Sequence, residues 1–321
     1  MANWLLTRVT KSAVLYRSLR SELGTHHPGA GEDDRVTTRL GATLLARAIL
    51  ATKTVDRAYR LFDRARSRAV VRWASDAVLD EFNAVAYARD DTYRPETAAF
   101  RSKLFPWEAA AVRDHFDPPP GRILLGGAGG GREAFALAEQ GYEVIAFEPA
   151  TELAEAMAVR AVAIPLVRSY RAHYEDLPLL EPARLGDTGA DVRDLAPFTA
   201  AVMGWGSFSH LASHAARVRA LASLGEVTAG PILVSFLAFS SRPTGLFGAQ
   251  HDRRGDVFSI FIGYYHSVTD RELEELAAAA NLDVTALNTD ETESTWPHAV
   301  LRSNLVPRLH DRHSPRRAAT P

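Results

Sequence analysis

The stretch that decides the fold is GRILLGGAGGGREAFALAEQGYEVIAFEPATELAEAM, residues 121–157. A short apolar run leads into the small residues 126–131, and a helical pattern begins at Arg132. Glycines permit positive φ and close approach of backbone N–H groups to a ligand, and a helix N-terminus adds partial positive charge. A second apolar run ends at Glu148, where a carboxylate can accept hydrogen bonds from both hydroxyls of a ribose. The segment therefore predicts a site for a nucleoside-containing cofactor.

The spacing of the glycines narrows the kind of cofactor. A dinucleotide-binding turn requires G-x-G-x-x-G, but starting at Gly127 the sixth position is Arg132, whose side chain would crowd the contact between helix and strand. The spacing that fits is G-x-G-x-G, formed by Gly127, Gly129 and Gly131.

This pattern, with an acid after the second strand, resembles class I S-adenosylmethionine-dependent methyltransferases. Three further segments are similar to that family in order and spacing. HYEDLP at 173–178 resembles the segment that contacts the adenine, and AVMGWG at 201–206 resembles the fourth strand and the loop beside the reactive methyl group. VTDREL at 268–273, with NLDV at 281–284, resembles the final helix, turn and strand. The resemblance covers about residues 104–303.

The resemblance implies S-adenosyl-L-methionine as cofactor and a set of residues that bind it. These are Gly127, Ala128, Gly129, Gly131, Glu148, Pro149, Tyr174, Glu175, Gly204 and Trp205. Two positions depart from the family pattern. Leu125 stands where an acid often precedes the glycine turn, and His173 replaces the acid before the adenine-contacting segment. Adenine recognition then falls to the backbone at Tyr174 and to the side chain of Glu175 or Asp176.

Methyl transfer from a sulfonium depends mainly on alignment of the reacting groups, and a general base is needed only when the nucleophile is still protonated. The loop 205–210 is where such a base would project, so His210 is the candidate catalytic residue. The alternative is a histidine at a helix start that forms local hydrogen bonds, with His214 one turn later as a structural partner. No metal site is predicted.

The rest of the chain predicts helices before residue 117 and an α/β pattern after it. Apolar residues recur at helical spacing over 36–82, and a second helical piece spans 96–116. DPPPG at 117–121 ends the helical region. Apolar runs follow at 122–125, 143–147, 200–203, 232–236, 283–287 and 299–301. With the family resemblance, this predicts an α/β fold: a seven-stranded, mostly parallel sheet with helices on both faces, preceded by a helical N-terminal region.

Three regions are predicted along the chain. Residues 1–118 form a helical cap or oligomerisation region, 119–305 the cofactor-binding methyltransferase domain, and 306–321 a flexible basic tail. Residues 240–267 contain Phe247, His251, Phe258, Phe261, Tyr264, Tyr265 and His266, which fit either a lid over an organic substrate or core packing. Tyr87, Tyr93, Phe105 and Trp107 lie where such enzymes often place a covering segment.

Composition limits the class of function. The 321 residues include no cysteine, which excludes thiol catalysis and cysteine-ligated metals. No apolar run approaches a membrane span, and the N-terminus lacks the apolar centre of a secretory signal, so we expect a cytoplasmic protein. Residues 1–75 carry 14 Lys and Arg against 6 Asp and Glu, whereas the middle of the chain is acidic.

The favoured function is methyl transfer to an oxygen or nitrogen of a small organic molecule, with carbon acceptors left open. The acidic body disfavours nucleic acid near the site, and we expect a homodimer through the N-terminal helices. Two alternatives stay open: methylation of RNA or protein docked on the basic N-terminal segment, and a non-catalytic cofactor-binding protein.

Overall fold

The structure is a computed structural model, which describes residues 32–97, 100–101, 103–184, 186–239, 255–259, 263–292 and 295–304. Predictions for Phe247, His251 and Phe261, and for the tail from 306, lie outside these residues. The chain divides into two compact units, Met1–Phe62 and Asp63–Pro321. Every residue of the site described below lies in the second unit.

The described residues form eight α-helices and twelve strands. The helices are α1 Glu32–Trp73, α2 Asp76–Ala88, α3 Pro106–His115, α4 Arg132–Glu139, α5 Thr151–Ala161, α6 Val192–Leu195, α7 His214–Val227 and α8 Asp270–Ala279. The strands are β1 Arg122–Gly126, β2 Glu143–Glu148, β3 Val167–Arg171, β4 Leu179–Pro182, β5 Ala190–Asp191, β6 Ala200–Met203, β7 Ile232–Ser235, β8 Leu237–Ala238, β9 Asp256–Ser259, β10 Gly263–Val268, β11 Leu282–Asn288 and β12 His298–Ser303.

Nine strands form one sheet in the order β11-β12-β7-β6-β1-β2-β3-β4-β5. Strands β7, β6, β1, β2 and β3 are parallel, and the strands outside them pair antiparallel. The chain moves from β1 to β3 in one direction and from β6 to β7 in the other. The strand order therefore reverses between β1 and β6, which is where open α/β sheets bind ligands beyond the strand ends.

Alternate side chains of the central strand enter opposite cores. Leu124 packs into a cluster with Phe147, Phe208 and the apolar faces of α7 and α8. Its neighbours Ile123 and Leu125 pack into a second cluster with helices α3 and α4. All three side chains have no exposed surface, and burying a side chain of this size contributes roughly 1.5–3 kcal/mol. Both faces of the sheet are thus covered by packed side chains. This packing holds in place the ends of the strands from which the site is formed.

The predicted fold is confirmed, with additions. All six apolar runs became strands within about two residues, and the mostly parallel sheet is covered by helices on both faces. The seven-stranded sheet is extended by the short antiparallel strands β4 and β5. Strand β3 has no apolar run, because its arginines are exposed, so the apolar pattern does not predict it. Only the family resemblance predicts a third strand before residue 173. No helix among the described residues is long and apolar enough to cross a membrane.

The two predicted helical stretches differ from the observed helices, the first by a break and the second by a later start. The pattern over 36–82 is interrupted after Trp73, where the Ser75 hydroxyl accepts a hydrogen bond from the Val78 N–H and begins α2. The stretch 96–116 becomes helical only at Pro106, the first residue of α3, and the Glu108 carboxylate accepts the Phe105 N–H.

The described part of the aromatic insertion is packed, not open. Strands β9 and β10 form an antiparallel pair, and β8 joins them in a separate three-stranded sheet. Phe258 and Tyr264 are buried against Leu79 of α2. Gly263 has φ +84°, and an added Cβ would lie 2.1 Å from the Asn83 Oδ1 atom. These residues therefore form core packing and not an open lid, and they pack against α2.

Candidate functional site

The glycine turn between β1 and α4 uses its glycines for different purposes. Gly129 has φ +54°, and an added Cβ would meet nothing closer than 3.4 Å, the distance to the Tyr93 ring. Gly131 has φ +91° and faces the protein, because an added Cβ would lie 2.7 Å from Phe135 and 2.8 Å from Met157. Gly129 therefore presents backbone to the cleft, whereas Gly131 allows α4 to pack closely on the sheet.

Glu148 ends β2 beside this turn and is 5% exposed. Its Oε2 atom accepts the Gly129 N–H at 2.8 Å and its Oε1 atom accepts the Ala150 N–H at 2.9 Å. Burial raises the pKa of the carboxyl to about 7, and the two hydrogen bonds oppose that rise. Each oxygen retains a further lone pair for a ligand, so the residue is a fixed acceptor at the cleft wall.

Arg132, the residue after the turn, lies in a buried ion cluster. Its guanidinium donates to both Glu108 oxygens at 2.7 Å and to Glu133 Oε1 at 2.6 Å. It also donates to the Lys103 carbonyl at 2.8 Å. Glu133 Oε1 accepts the Trp205 N–H at 3.4 Å. The cluster joins the segment before α3 to the glycine turn and to the loop after β6.

Tyr174 contributes its side chain as well as its backbone to the site. The ring packs edge-on against Phe147, with ring centroids 5.1 Å apart, and its hydroxyl is 3.0 Å from Ser207 Oγ. This contact joins the turn after β3 to the turn after β6. Gly204, at the end of β6, donates its N–H to the Gly126 carbonyl at 2.8 Å, which keeps the ends of β6 and β1 in close contact.

His210 closes the short 3₁₀ turn Ser207–His210 and has both ring nitrogens engaged. Nδ1 is 2.7 Å from the Tyr264 carbonyl, and Nε2 is 2.6 Å from the Tyr87 hydroxyl. Asn83, one turn before Tyr87 on α2, pairs with the Tyr264 backbone through both its amide atoms. Burial lowers the pKa of His210 to about 4, so the ring is neutral at pH 7.

These elements surround a cleft that opens to solvent and has a cavity volume of about 100 Å³. Of the predicted site residues, the cleft is lined by Gly127, Gly129, Glu148, Pro149, Tyr174, Glu175, Trp205 and His210. Ala128, Gly131 and Gly204 are absent from the lining. Ala128 is buried, and the other two serve backbone and packing contacts described above.

Three acidic side chains line the cleft: Asp80, Glu148 and Glu175. Burial and the nearby charge of Glu175 raise the pKa of Asp80, on α2, to about 7. Glu175 itself lies 3.3 Å from Arg219 and is partly exposed. Among the described residues, no group of three or more side chains is placed to hold a metal ion.

One edge of the sheet carries the reversal of strand order, the glycine turn and the carboxylate of Glu148 at the end of β2. The chain has the fold of the class I methyltransferases. The resemblance seen in the sequence is thus confirmed at the level of the fold.

No family model matches the sequence, and no curated protein matches it either. Solved structures do match this methyltransferase fold. The CcbJ methyltransferase from Streptomyces caelestis is 19% identical with a TM-score of 0.45, over 61% of this chain and 87% of that chain. The amino pentose methyltransferase CalS10 from Micromonospora echinaspora is 17% identical with a TM-score of 0.42, over 74% and 95%. With TM-scores below 0.5, neither match supports a conclusion about the activity or substrate of this chain.

Several residues of the site were not found from the sequence. Asp80 and Asn83 lie on α2, and Leu153 lies on α5, and all three line the cleft. Each fits the regular polar and apolar spacing of its helix, so the sequence pattern does not mark it as a site residue. Tyr87 and Tyr93 were predicted only as part of a covering segment. Both line the cleft, with their rings edge-on and centroids 5.0 Å apart.

Proposed function

We propose that the protein transfers a methyl group from S-adenosylmethionine to an oxygen or nitrogen atom of a small organic molecule. The observation that carries the proposal is the buried Glu148 carboxylate at the cleft wall, beside the backbone of Gly129. Fixed acceptors of this kind suit the two hydroxyls of a ribose.

The residues present fit this cofactor. Glu148 would hold the ribose, the turn at 173–176 would meet the adenine, and the backbone at Gly127 and Gly129 would meet the remainder. When bound, the cofactor supplies an electrophilic methyl group on a positively charged sulfur. The chain's own contribution is alignment of the acceptor, which can supply about 7–11 kcal/mol of the barrier.

The character of the cleft supports a small organic acceptor. Tyr87, Tyr93 and Trp205 give aromatic walls, while Asp80, Glu148 and Glu175 give hydrogen-bond acceptors. The residues that line the cleft include no Lys or Arg, whereas nucleic acids are bound mainly through positively charged contacts to phosphate. Docking of RNA on the basic N-terminal segment is therefore the weaker alternative.

Transfer of a labelled methyl group tests the proposal. The full chain is incubated with S-adenosylmethionine labelled on the methyl group, in parallel with a panel of alcohols, phenols and amines and with total RNA. We expect label in at least one small molecule and none in RNA. Label confined to RNA would overturn the small-molecule part, and formation of no methylated product across the panel and RNA would contradict the activity.

We further propose that residues 1–118 cap the site or mediate a homodimer. Leu44, Leu50 and Phe62 are among nine large apolar side chains in the described part of α1 that are at least 42% exposed, and apolar surface of this extent is typical of interaction surfaces. Light scattering of the full chain and of a Leu50→Glu, Phe62→Glu variant tests this. A dimer that dissociates in the variant supports the homodimer, and a monomeric full chain would contradict the homodimer and leave the cap as the remaining role.

A further inference from the structure

The contacts of His210 fix where its protons are. Nδ1 faces the Tyr264 carbonyl at 2.7 Å, and a backbone carbonyl can only accept a hydrogen bond, so Nδ1 carries the hydrogen. In the neutral ring Nε2 is then an acceptor, and the Tyr87 hydroxyl, 2.6 Å away, must donate to it. The Asn83 amide, which pairs with the Tyr264 backbone at 2.8 and 3.1 Å, holds that carbonyl in place.

The same contacts determine what the cleft presents to a ligand. The lone pair of Nε2 is occupied by Tyr87, so His210 has no free polar atom to offer. Tyr87, whose proton is committed to His210, can act toward the cleft only as an acceptor, through the remaining lone pairs of its oxygen. Both residues line the cleft.

We propose that Tyr87, and not His210, is the catalytic residue that contacts the methyl acceptor, with His210 acting through it as a positioning residue and final proton acceptor. The inference rests on the proposed function. It requires an acceptor that carries a hydrogen-bond donor at the atom to be methylated: an alcohol, a phenol, or a neutral primary or secondary amine. Thioethers and tertiary amines are excluded, because they have no hydrogen to donate to Tyr87.

The proton balance follows the chain of contacts. Methylation of a neutral O–H or N–H group releases one proton from the acceptor. That proton moves to the Tyr87 oxygen as the tyrosine's own proton moves to Nε2 of His210. Tyr87 ends neutral, and the resulting imidazolium keeps its Nδ1 hydrogen bond to the Tyr264 carbonyl. Burial disfavours the charged ring, so the transfer is completed only as the acceptor becomes more acidic during methylation.

A matched pair of probes tests whether the Tyr87 oxygen accepts a hydrogen bond from a ligand, and no methyl transfer is needed. Phenol carries a donor hydrogen, and anisole is the same ring with that hydrogen replaced by methyl. Binding of each to the full chain is followed by the ¹⁵N and ¹³C signals of the His210 ring, assigned by comparison with His210→Gln. We expect phenol to bind about fivefold more tightly than anisole, as one hydrogen bond of ordinary net strength predicts.

Tyr87→Phe removes only the hydroxyl oxygen. We expect the preference for phenol to disappear, the Nε2 signal of His210 to move toward that of a free ring nitrogen, and the melting temperature to stay within a few degrees. Tyr93→Phe is the matched control, since it removes a phenol oxygen from the same cleft without touching His210, and it should keep both the preference and the Nε2 signal.

Equal binding of phenol and anisole to the unaltered protein would overturn the inference, as would a preference for phenol that survives in Tyr87→Phe. The affinity for S-adenosylhomocysteine is measured on the same samples. Loss of that affinity alone would count against the proposed function, while the probe pair still reports on Tyr87, so the two failures are distinguishable.

Discussion

At the scale of single residues, the site depends on carboxylates that the fold keeps away from water. Glu148 and Asp80 have pKa values raised to about 7, chiefly by burial, and neither forms an ion pair with a cation among the described residues. Such groups cost stability when charged, and perturbed acids of this kind cluster at functional sites. Their cost is consistent with a ligand that offers hydrogen-bond donors to them.

Replacement of Glu148 by alanine should remove two charge-assisted hydrogen bonds to the ribose, each worth about 1.5–3 kcal/mol. We expect the affinity for S-adenosylhomocysteine, measured by calorimetry, to fall by about two orders of magnitude or more in a protein that stays folded. Glu152→Ala, at an exposed position in the first turn of α5, is the control and should bind normally. An unchanged dissociation constant for Glu148→Ala would contradict the ribose assignment.

The affinity should also depend on pH through Glu148. Its pKa in the free protein is about 7, and hydroxyl donors favour the charged form, so binding must first remove a proton at lower pH. We expect affinity for S-adenosylhomocysteine to rise between about pH 5 and 8 and then level off. Titrations across this range in Glu148→Ala should show a flatter profile. A wild-type affinity that falls as the pH rises would contradict this role of the Glu148 carboxylate.

At the scale of elements, two buried polar clusters join segments that are far apart along the chain. Arg132 and Glu108 have side chains only 13% and 4% exposed, and they bind the start of α3 to the glycine turn. His266 on β10 lies between Asp256 at 2.7 Å and Glu272 at 2.8 Å, which joins the insertion to α8. Removing one partner of such a buried pair is costly, because the other charge is left uncompensated.

Glu108→Gln should therefore destabilise the protein by about 2–4 kcal/mol, since Arg132 stays buried with one bidentate partner lost. Urea unfolding measures this. Asp114→Asn on the same helix breaks an exposed pair with Arg113, whose side chains are 53% and 69% exposed, and should change stability by less than about 0.5 kcal/mol. Equal losses of unfolding free energy in the two variants would show that the buried ion cluster stabilises the protein no more than the exposed pair does.

The His266 cluster predicts a pH dependence of stability. Burial opposes charge on the ring, but hydrogen bonds to Asp256 and Glu272 raise the pKa of His266 above its usual 6.5. A raised histidine pKa contributes stability that is complete below about pH 6.5 and lost as pH rises through the folded value. The difference in Tm between wild type and His266→Gln should thus be largest near pH 6 and shrink toward pH 9. His214→Gln, at the exposed start of α7, should follow the wild-type profile.

The elements also show how far the sequence could predict this structure. Continuous apolar runs identified β1, β2, β6 and β7 because buried parallel strands have that composition. The separation of α1 from α2 depended on one serine cap within an unbroken apolar pattern, and periodicity alone does not show it. The pairs Arg132–Glu108 and Tyr87–His210 join residues 24 and 123 positions apart. Contacts of this kind are created by the tertiary fold and have no local signal.

At the scale of the whole molecule, the cleft belongs to one of the two compact units. Its lining runs from Asp80 to Leu211, within Asp63–Pro321. A chain that begins at Asp63 should therefore bind S-adenosylhomocysteine with the affinity of the full chain, measured by the same calorimetry. A folded 63–321 chain whose affinity is tenfold lower or worse would show that residues before Asp63 take part in the site.

The measurement that tests the central claim most directly is calorimetric titration of the full chain with S-adenosylmethionine and S-adenosylhomocysteine. The cleft beside Glu148 and Gly129 predicts one site per chain and dissociation constants in the micromolar range for both ligands. Well-folded protein that gives no binding signal with either ligand would contradict the claim, and would mean that this chain has the fold of a methyltransferase without its cofactor.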